Sequence, residues 1–423
     1  MQNATWAGPL SLIHHGLMSH RGVILGRAYH RVLRDNGDAH LLCVAETGSG
    51  KTSSFVLPNL LYGWDGSCVA FDPKGELYEK SGSHRALWSR VVHLDPCAMN
   101  SDAFNPLSAI RRGTEYEVRD SQLVGEMLAD PGAKGADQMS DTGSHFTELA
   151  SEGIGGLVLY GLYTQLATTL PALNWLTVNE KWADLLQAMG RYPHPAIRRA
   201  GAILKGIKGE GEASGIFSSL TKTLRIYTDP MLARCASRNS FTWRDLRERA
   251  RPMTLYITVP FSDRERLRPW ARLILRQLLD YVGRQLEDWE HPLLGMLDEF
   301  HSLGHMRALA NAVLEVRGYG FRLALITPSI KKLEELYGKN HTFFEASHTK
   351  LAMGIRDPDI AREVSSWIGE RTRYHGTGPH RIPRREPLWS PTAVTNMHPR
   401  RMVIVSGRTR TLATQVYYKT YAV

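Results

Sequence analysis

Ala45-Glu46-Thr47-Gly48-Ser49-Gly50-Lys51-Thr52 is the stretch that decides how this 423-residue chain folds. Residues 40–44 form a short apolar run that passes straight into the glycines. Residues 52–61 then have helical spacing as far as Gly63. Strand, glycine loop and helix are the setting in which G-x-x-x-x-G-K-[ST] cradles phosphate. Gly50, Lys51 and Thr52 match the end of that template, and Ala45 stands where its first glycine would be. The mechanism tolerates the change. Gly48 and Gly50 let successive backbone N–H groups turn inward around phosphate oxygens. The helix that follows directs its positive end at the same anion. Lys51 is placed to reach the β and γ phosphates of ATP, and Thr52 to ligate Mg²⁺ through its hydroxyl. Thr47, Ser49 and Ser53 complete the expected contact loop. The reading is a P-loop nucleotide hydrolase.

Outward from the loop, residues 67–71 and 90–94 are further short apolar runs, ended by Asp72-Pro73-Lys74-Gly75-Glu76 and Asp95-Pro96. Their alternation with helical stretches predicts an α/β fold with a mostly parallel, doubly wound sheet. Past about residue 165 the pattern changes, and residues 179–188, 195–206, 213–227 and 243–249 are helical in period with no strand between them. Strands return at 253–259, 293–297, 322–327, 350–353 and 402–405. The expected organisation is therefore a nucleotide-binding domain in two parts, 1–167 and 251–423, with an all-α domain inserted at 168–250. Residues 371–391, rich in Gly, Pro and Arg, read as a surface loop.

A nucleotide hydrolase also needs carboxylates on a neighbouring strand. Leu293-Leu294-Gly295-Met296-Leu297-Asp298-Glu299 ends an apolar run in two acids. Asp298 is assigned to Mg²⁺ and Glu299 to the attacking water as general base. The competing reading is an acidic pair that caps a strand–helix junction. Asp72 and Lys74 sit at the carboxyl end of another strand, where they either contact nucleotide or pin the sheet edge. Arg317, 19 residues after Asp298, is a candidate arginine finger acting on a neighbouring subunit. Spacing alone does not separate that role from an ordinary surface arginine.

Bulk composition sets outer bounds. Apolar residues make up 43% and charged residues 22%, as in ordinary globular proteins. The cysteines at 43, 68, 97 and 235 contain no C-x-x-C pair, so neither a zinc site nor a disulfide framework is expected. The net charge of +10 favours a polyanionic partner. No run reaches the ~18–20 apolar residues that span a bilayer. The nearest, residues 154–166, is short, carries three glycines and reads as a buried core helix. The opening residues 1–20 lack the pattern of a signal peptide.

Several elements carry a resemblance to the type IV secretion coupling proteins, the TraG-like hexameric ATPases of bacterial conjugation. They are the loop at 47–52 with Pro58-Asn59-Leu60-Leu61, then Phe71-Asp72-Pro73-Lys74-Gly75-Glu76-Leu77-Tyr78, and Phe104-Asn105-Pro106-Leu107. Asp298-Glu299-Phe300 with Leu303-Gly304, Tyr319-Gly320, Tyr337-Gly338 and Tyr417-Tyr418 also fit. The Asp-Pro-Lys-Gly-Glu and Phe-Asn-Pro-Leu elements are far more specific than the loop, and they argue against a generic DNA translocase of the FtsK or HerA kind. The resemblance implies a RecA-like motor with an all-α insertion, a homo-hexamer with nucleotide between subunits, and Arg317 acting in trans. It implies ATP hydrolysis coupled to delivery of relaxase–DNA complexes or protein effectors into a type IV secretion channel. The expected location is the cytoplasmic face of the bacterial inner membrane, beside the inner-membrane secretion components. Two departures stand out. The family often carries a γ-phosphate-sensing Gln after the strand at 322–327, where this chain has Thr327-Pro328-Ser329. The family's two N-terminal transmembrane helices are not in this sequence, so a trimmed cytoplasmic region or docking on separate membrane partners is expected, with the chain soluble as given.

Two basic segments fit a nucleic-acid partner. Residues 191–249 carry 12 Lys and Arg against 5 acids, and residues 371–410 carry 9 Arg against Glu386 alone. Arg371, Arg373, Arg381, Arg384 and Arg385 lie near His375, His380 and Trp389, so single-stranded DNA bases could stack among them. A solvated loop is the plain alternative, and a helical domain that recruits protein effectors without DNA is the alternative of a different class.

Overall fold

The computed structural model describes residues 3–129, 141–206, 210–247, 250–284, 291–375 and 382–420. Its strands are β1 Val23–Ala28, β2 Arg31–Asp35, β3 His40–Ala45, β4 Cys68–Asp72, β5 Arg90–Leu94, β6 Met253–Thr258, β7 Leu293–Leu297, β8 Phe321–Thr327, β9 Ser347–Met353, β10 Glu370–His375, β11 Ile382–Pro387, β12 Arg401–Ser406 and β13 Thr409–Thr414. All but β10 and β11 form one sheet in the order β2-β1-β13-β12-β9-β3-β8-β7-β4-β6-β5. Every pairing from β9 to β5 is parallel. The pairings from β9 out to β2 are antiparallel.

The parallel strands read as continuous apolar runs because both their faces are covered. In β3, β4, β6, β7 and β8 every residue is buried. Alternate side chains divide between two cores. Leu42 and Val44 enter the core shared with the helical region, while Leu41, Cys43 and Ala45 enter the core that holds Phe55, Leu57 and Leu60 of the loop helix. That helix is widened where Leu57 N–H donates to Thr52 and Trp64 N–H donates to Asn59, five residues back. Pro58 has no N–H to give its own turn. The Asn59 amide then ties the helix to β1. Its Oδ1 accepts from Ile24 N at 2.6 Å, and its Nδ2 donates to Ile24 O at 2.9 Å.

Two expectations are corrected. Between β5 and β6 the described chain is helical from Pro106–Ala109 through Trp243–Arg247, so the strand-free region begins well before residue 168. The Asp141–Thr164 helix packs against Glu117–Ala129 and Pro195–Gly206. The glycines in the apolar stretch read as a core helix are the points of contact. A Cβ on Gly155 would lie 3.0 Å from Gln122 Cα, and one on Gly156 would lie 2.0 Å from Ala200 Cβ. That helix is packed between other helices, and apolar content alone does not tell such a helix from one packed on a sheet. Second, the surface loop expected at 371–391 contains an antiparallel hairpin, β10 with β11. Both its faces are exposed, so it carries no apolar alternation to read. His380 and Arg381 of that segment lie outside the described residues.

The Arg264–Gly283 helix follows β6 and packs on the Glu117–Ala129 helix. Arg119 pairs with Asp280 at 3.2 Å and Arg284 with Asp120 at 2.9 Å, which ties the Glu117–Ala129 helix to the helix that follows β6. No helix among the described residues is long and apolar enough to cross a membrane.

Candidate nucleotide site

The loop leaves β3 in the conformation that its glycines allow. Gly48 and Gly50 have φ of +80° and +87°, the region glycine enters without steric cost. Ser49 N–H donates to Glu46 O at 3.1 Å, and Ser54 N–H to Gly50 O at 2.8 Å. The hydroxyls of Ser53 and Ser54 donate to Gly50 O at 3.1 and 2.7 Å. Thr47 is exposed at the tip, and Lys51 is 5% exposed. Distant segments brace the loop. The Glu46 carboxylate accepts from Arg356 N and Asp357 N at 2.7 and 2.9 Å. Gln415 Nε2 donates to Ser49 O at 3.2 Å. Gly354, at φ +62°, fits against Ser49 so closely that an added Cβ would sit 2.4 Å from Ser49 Cβ. Glu46, Gly354 and Gln415 were not legible as site residues, since each acts through a contact hundreds of residues away.

The acid pair stands beside this loop. β7 is separated from β3 by β8 alone, so the two strand ends open side by side. Thr52 Oγ1 donates to Asp298 Oδ2 at 3.5 Å. Asp298 Oδ1 is buried with no hydrogen-bond partner among the described residues. A hydroxyl and an unsatisfied carboxylate oxygen side by side suit a Mg²⁺ that takes its other ligands from phosphate and water. Burial pushes the Asp298 carboxyl up to about 6, Glu299 adds to the rise, and Lys51 works against it.

Glu299 lies among cations. Its Oε1 is 3.1 Å from Lys51 Nζ and 3.4 Å from Lys74 Nζ, and its Oε2 is 3.6 Å from Arg264 Nη2. Burial favours the neutral acid, but Lys51 and Lys74 outweigh it and hold the carboxyl below its usual range. Glu299 also has φ +47°, rare for a residue with a side chain. Burial holds the neighbouring His301 down at about 4, as a neutral imidazole. Arg264 was missed from the sequence because it sits in the run Asp263-Arg264-Glu265-Arg266, which resembles any solvated helix start.

The remaining candidates separate. Lys74 joins the site, but Asp72 is 0% exposed and caps the next helix. Its carboxylate accepts from Leu77 N at 2.8 Å, Tyr78 N at 3.1 Å and Lys74 N at 3.4 Å. Burial nevertheless raises its carboxyl to about 6. The nucleotide contact or sheet-edge role expected of Asp72 stands beside this third one: β4 is an interior strand, and the carboxylate caps a helix. Arg317 lies at the amino end of β8, paired through Nη2 with both Asp38 oxygens at 2.9 and 2.8 Å. That is the opposite end of the strands from the loop, roughly 20 Å away at the usual rise per residue.

A parallel sheet with a glycine phosphate loop on one strand and an acid pair two strands away defines a RecA-like P-loop NTPase. The description "Type IV secretory system Conjugative DNA transfer" matches residues 10–381, and the chain belongs to that family. It is 33% identical to the conjugal transfer protein TraG of Escherichia coli over 366 residues, covering 80% of this chain and 56% of that protein. It is 26% identical to the protein VirD4 of Agrobacterium fabrum over 397 residues, covering 87% of this chain and 56% of that one. The chain thus spans about half the length of these relatives. Among solved structures it is similar to the unbound bacterial conjugative coupling protein TrwBdeltaN70, with a TM-score of 0.78 at 17% identity, covering 99% of this chain and 94% of that one. TrwB in complex with ADP and Mg²⁺ aligns with a TM-score of 0.75 at 18% identity, over 100% of this chain and 94% of that one.

Proposed function

We propose that this chain is the ATP-hydrolysing motor of a conjugative coupling protein, one that delivers relaxase–DNA complexes or protein effectors to a type IV secretion channel. The observation that carries it is the convergence of Lys51 and Thr52 on Glu299 and Asp298, within a chain of the conjugative DNA transfer family. In this reading the loop N–H groups and Lys51 bind the phosphates, and Thr52 and Asp298 hold Mg²⁺. The cation neutralises charge on the β and γ oxygens when bound. Glu299 orients the attacking water and accepts its proton. Lys51 and Lys74 keep Glu299 ionised for that task.

The assembly is read as a homo-hexamer with Arg317 reaching the neighbour's γ-phosphate, because it faces away from the site in its own subunit. Its place is the cytoplasmic face of the inner membrane, with inner-membrane secretion components and DNA as partners. The hairpin supports a DNA contact. Arg371, Arg373, Arg384 and His375 share one face, with Glu386 as the acid among them. The basic helical region is read as the cargo-recruiting part.

Lys51→Ala is expected to abolish nucleotide binding or turnover. Glu299→Gln is expected to retain ATP binding and lose at least ~10²-fold in hydrolysis rate. Turnover by Glu299→Gln at the parent rate would overturn the assignment of the base. Single-stranded DNA at low salt is expected to raise the parent's ATPase rate. An absence of both stimulation and binding would leave protein effectors as the cargo.

A further inference from the structure

The γ-phosphate-sensing Gln that the family often carries has no counterpart at Thr327-Pro328-Ser329, and both hydroxyls there make local backbone contacts. Thr327 Oγ1 donates to Ser329 O at 3.0 Å. Ser329 Oγ accepts from Lys332 N at 3.2 Å and caps the Ile330–Tyr337 helix. On the other flank of the acid pair stands Arg264, carried from the end of β6 across the end of β4. Its Nη2 is 3.6 Å from Glu299 Oε2, the oxygen that Lys51 and Lys74 leave to it. The Phe261 ring lies against the guanidinium at 5.1 Å. Arg264 Nε is buried and has no hydrogen-bond partner among the described residues.

We propose that Arg264 senses the terminal phosphate, holding Glu299 while no triphosphate is bound and donating to the γ-phosphate once one is. This rests on the ATP reading of the site. Lys51 cannot make the distinction alone, because a loop lysine also serves a diphosphate through its β oxygens. A third phosphate brings negative charge next to Glu299, and a cation bridging the two removes the repulsion. A planar guanidinium with donors on several edges can hold a carboxylate and a phosphate together, which an ammonium does less well.

The test is equilibrium binding of fluorescent ADP and of a fluorescent non-hydrolysable ATP analogue, each with Mg²⁺, to parent, Arg264→Gln and Arg264→Lys. The expected result for Arg264→Gln is an affinity for the ATP analogue lower by about tenfold or more. Its ADP affinity should stay within about twofold of the parent, which also certifies the fold. Arg264→Lys should fall between parent and Arg264→Gln for the ATP analogue. Equal losses for both nucleotides, or no loss for either, would overturn the proposal while leaving the hydrolysis reading intact. Failure of the parent to bind either nucleotide would overturn that reading, and this one with it.

Discussion

Asp298 carries a buried charge that costs stability. It is 2% exposed, and burial lifts its carboxyl from an ordinary 3.8 to about 6. The folded chain therefore holds that proton more tightly than the unfolded chain does. Stability from this group is present at low pH and is lost as pH rises through about 6. Asp298→Asn removes the buried charge. Calorimetry of the nucleotide-free protein should give a Tm a few degrees above the parent at about pH 8, with the difference vanishing below about pH 4. Identical Tm values at the higher pH would mean that Asp298 is already relieved by its neighbours. The same variant should lose Mg²⁺-dependent nucleotide binding, so stability and function are expected to move in opposite directions.

At the scale of elements, the loop is shaped by what is pressed against it as much as by its own glycines. Gly354 ends β9 at φ +62°, with Ser49 against the place a side chain would occupy. Gly354→Ala combines a strained backbone with a clash, a cost on the order of 1–3 kcal/mol. The loop yields more easily than the sheet, so nucleotide affinity should fall before secondary structure does, as a titration with fluorescent ADP beside circular dichroism would reveal. The β10–β11 hairpin offers a second test at this scale. Arg373 and Arg384 are cross-strand partners, and replacing both by Glu should weaken binding of single-stranded DNA. If each contacts a phosphate, the slope of log affinity against log salt should flatten by roughly 1.4. An unchanged slope would remove the hairpin from the DNA surface.

At the scale of the whole molecule, the site lies at the carboxyl ends of the strands and Arg317 at their amino ends. In a closed ring those two ends can meet only between neighbours. Mixing Arg317→Ala subunits with parent should therefore lower ATPase activity more steeply than the mutant fraction. A fall in simple proportion would count against a finger acting in trans. The helical region joins the sheet and its flanking helix through Arg119–Asp280 and Arg284–Asp120 as well as through a shared apolar core.

The sequence by itself determined the phosphate loop, the acid pair and the parallel strands, because each is written locally: glycines where the backbone turns, apolar runs where both faces are covered, acids at a strand end. β5 and β7 run where their apolar residues predict, at Arg90–Leu94 and Leu293–Leu297. The antiparallel strands β1, β2 and β13 and the hairpin were harder to read: β1 is a short buried run ended by Gly26 and Arg27, β2 and β13 carry arginine or threonine among their part-buried positions, and the hairpin is exposed on both faces. Only the tertiary structure decided which polar residues meet. Lys51 finds Glu299 across 248 residues. Asp72 turns inward to cap a helix, and Arg264 emerges from an ordinary charged run to face Glu299. Those outcomes depend on strand order and on which carboxylates are buried beside which cations, and no local pattern of residues encodes that.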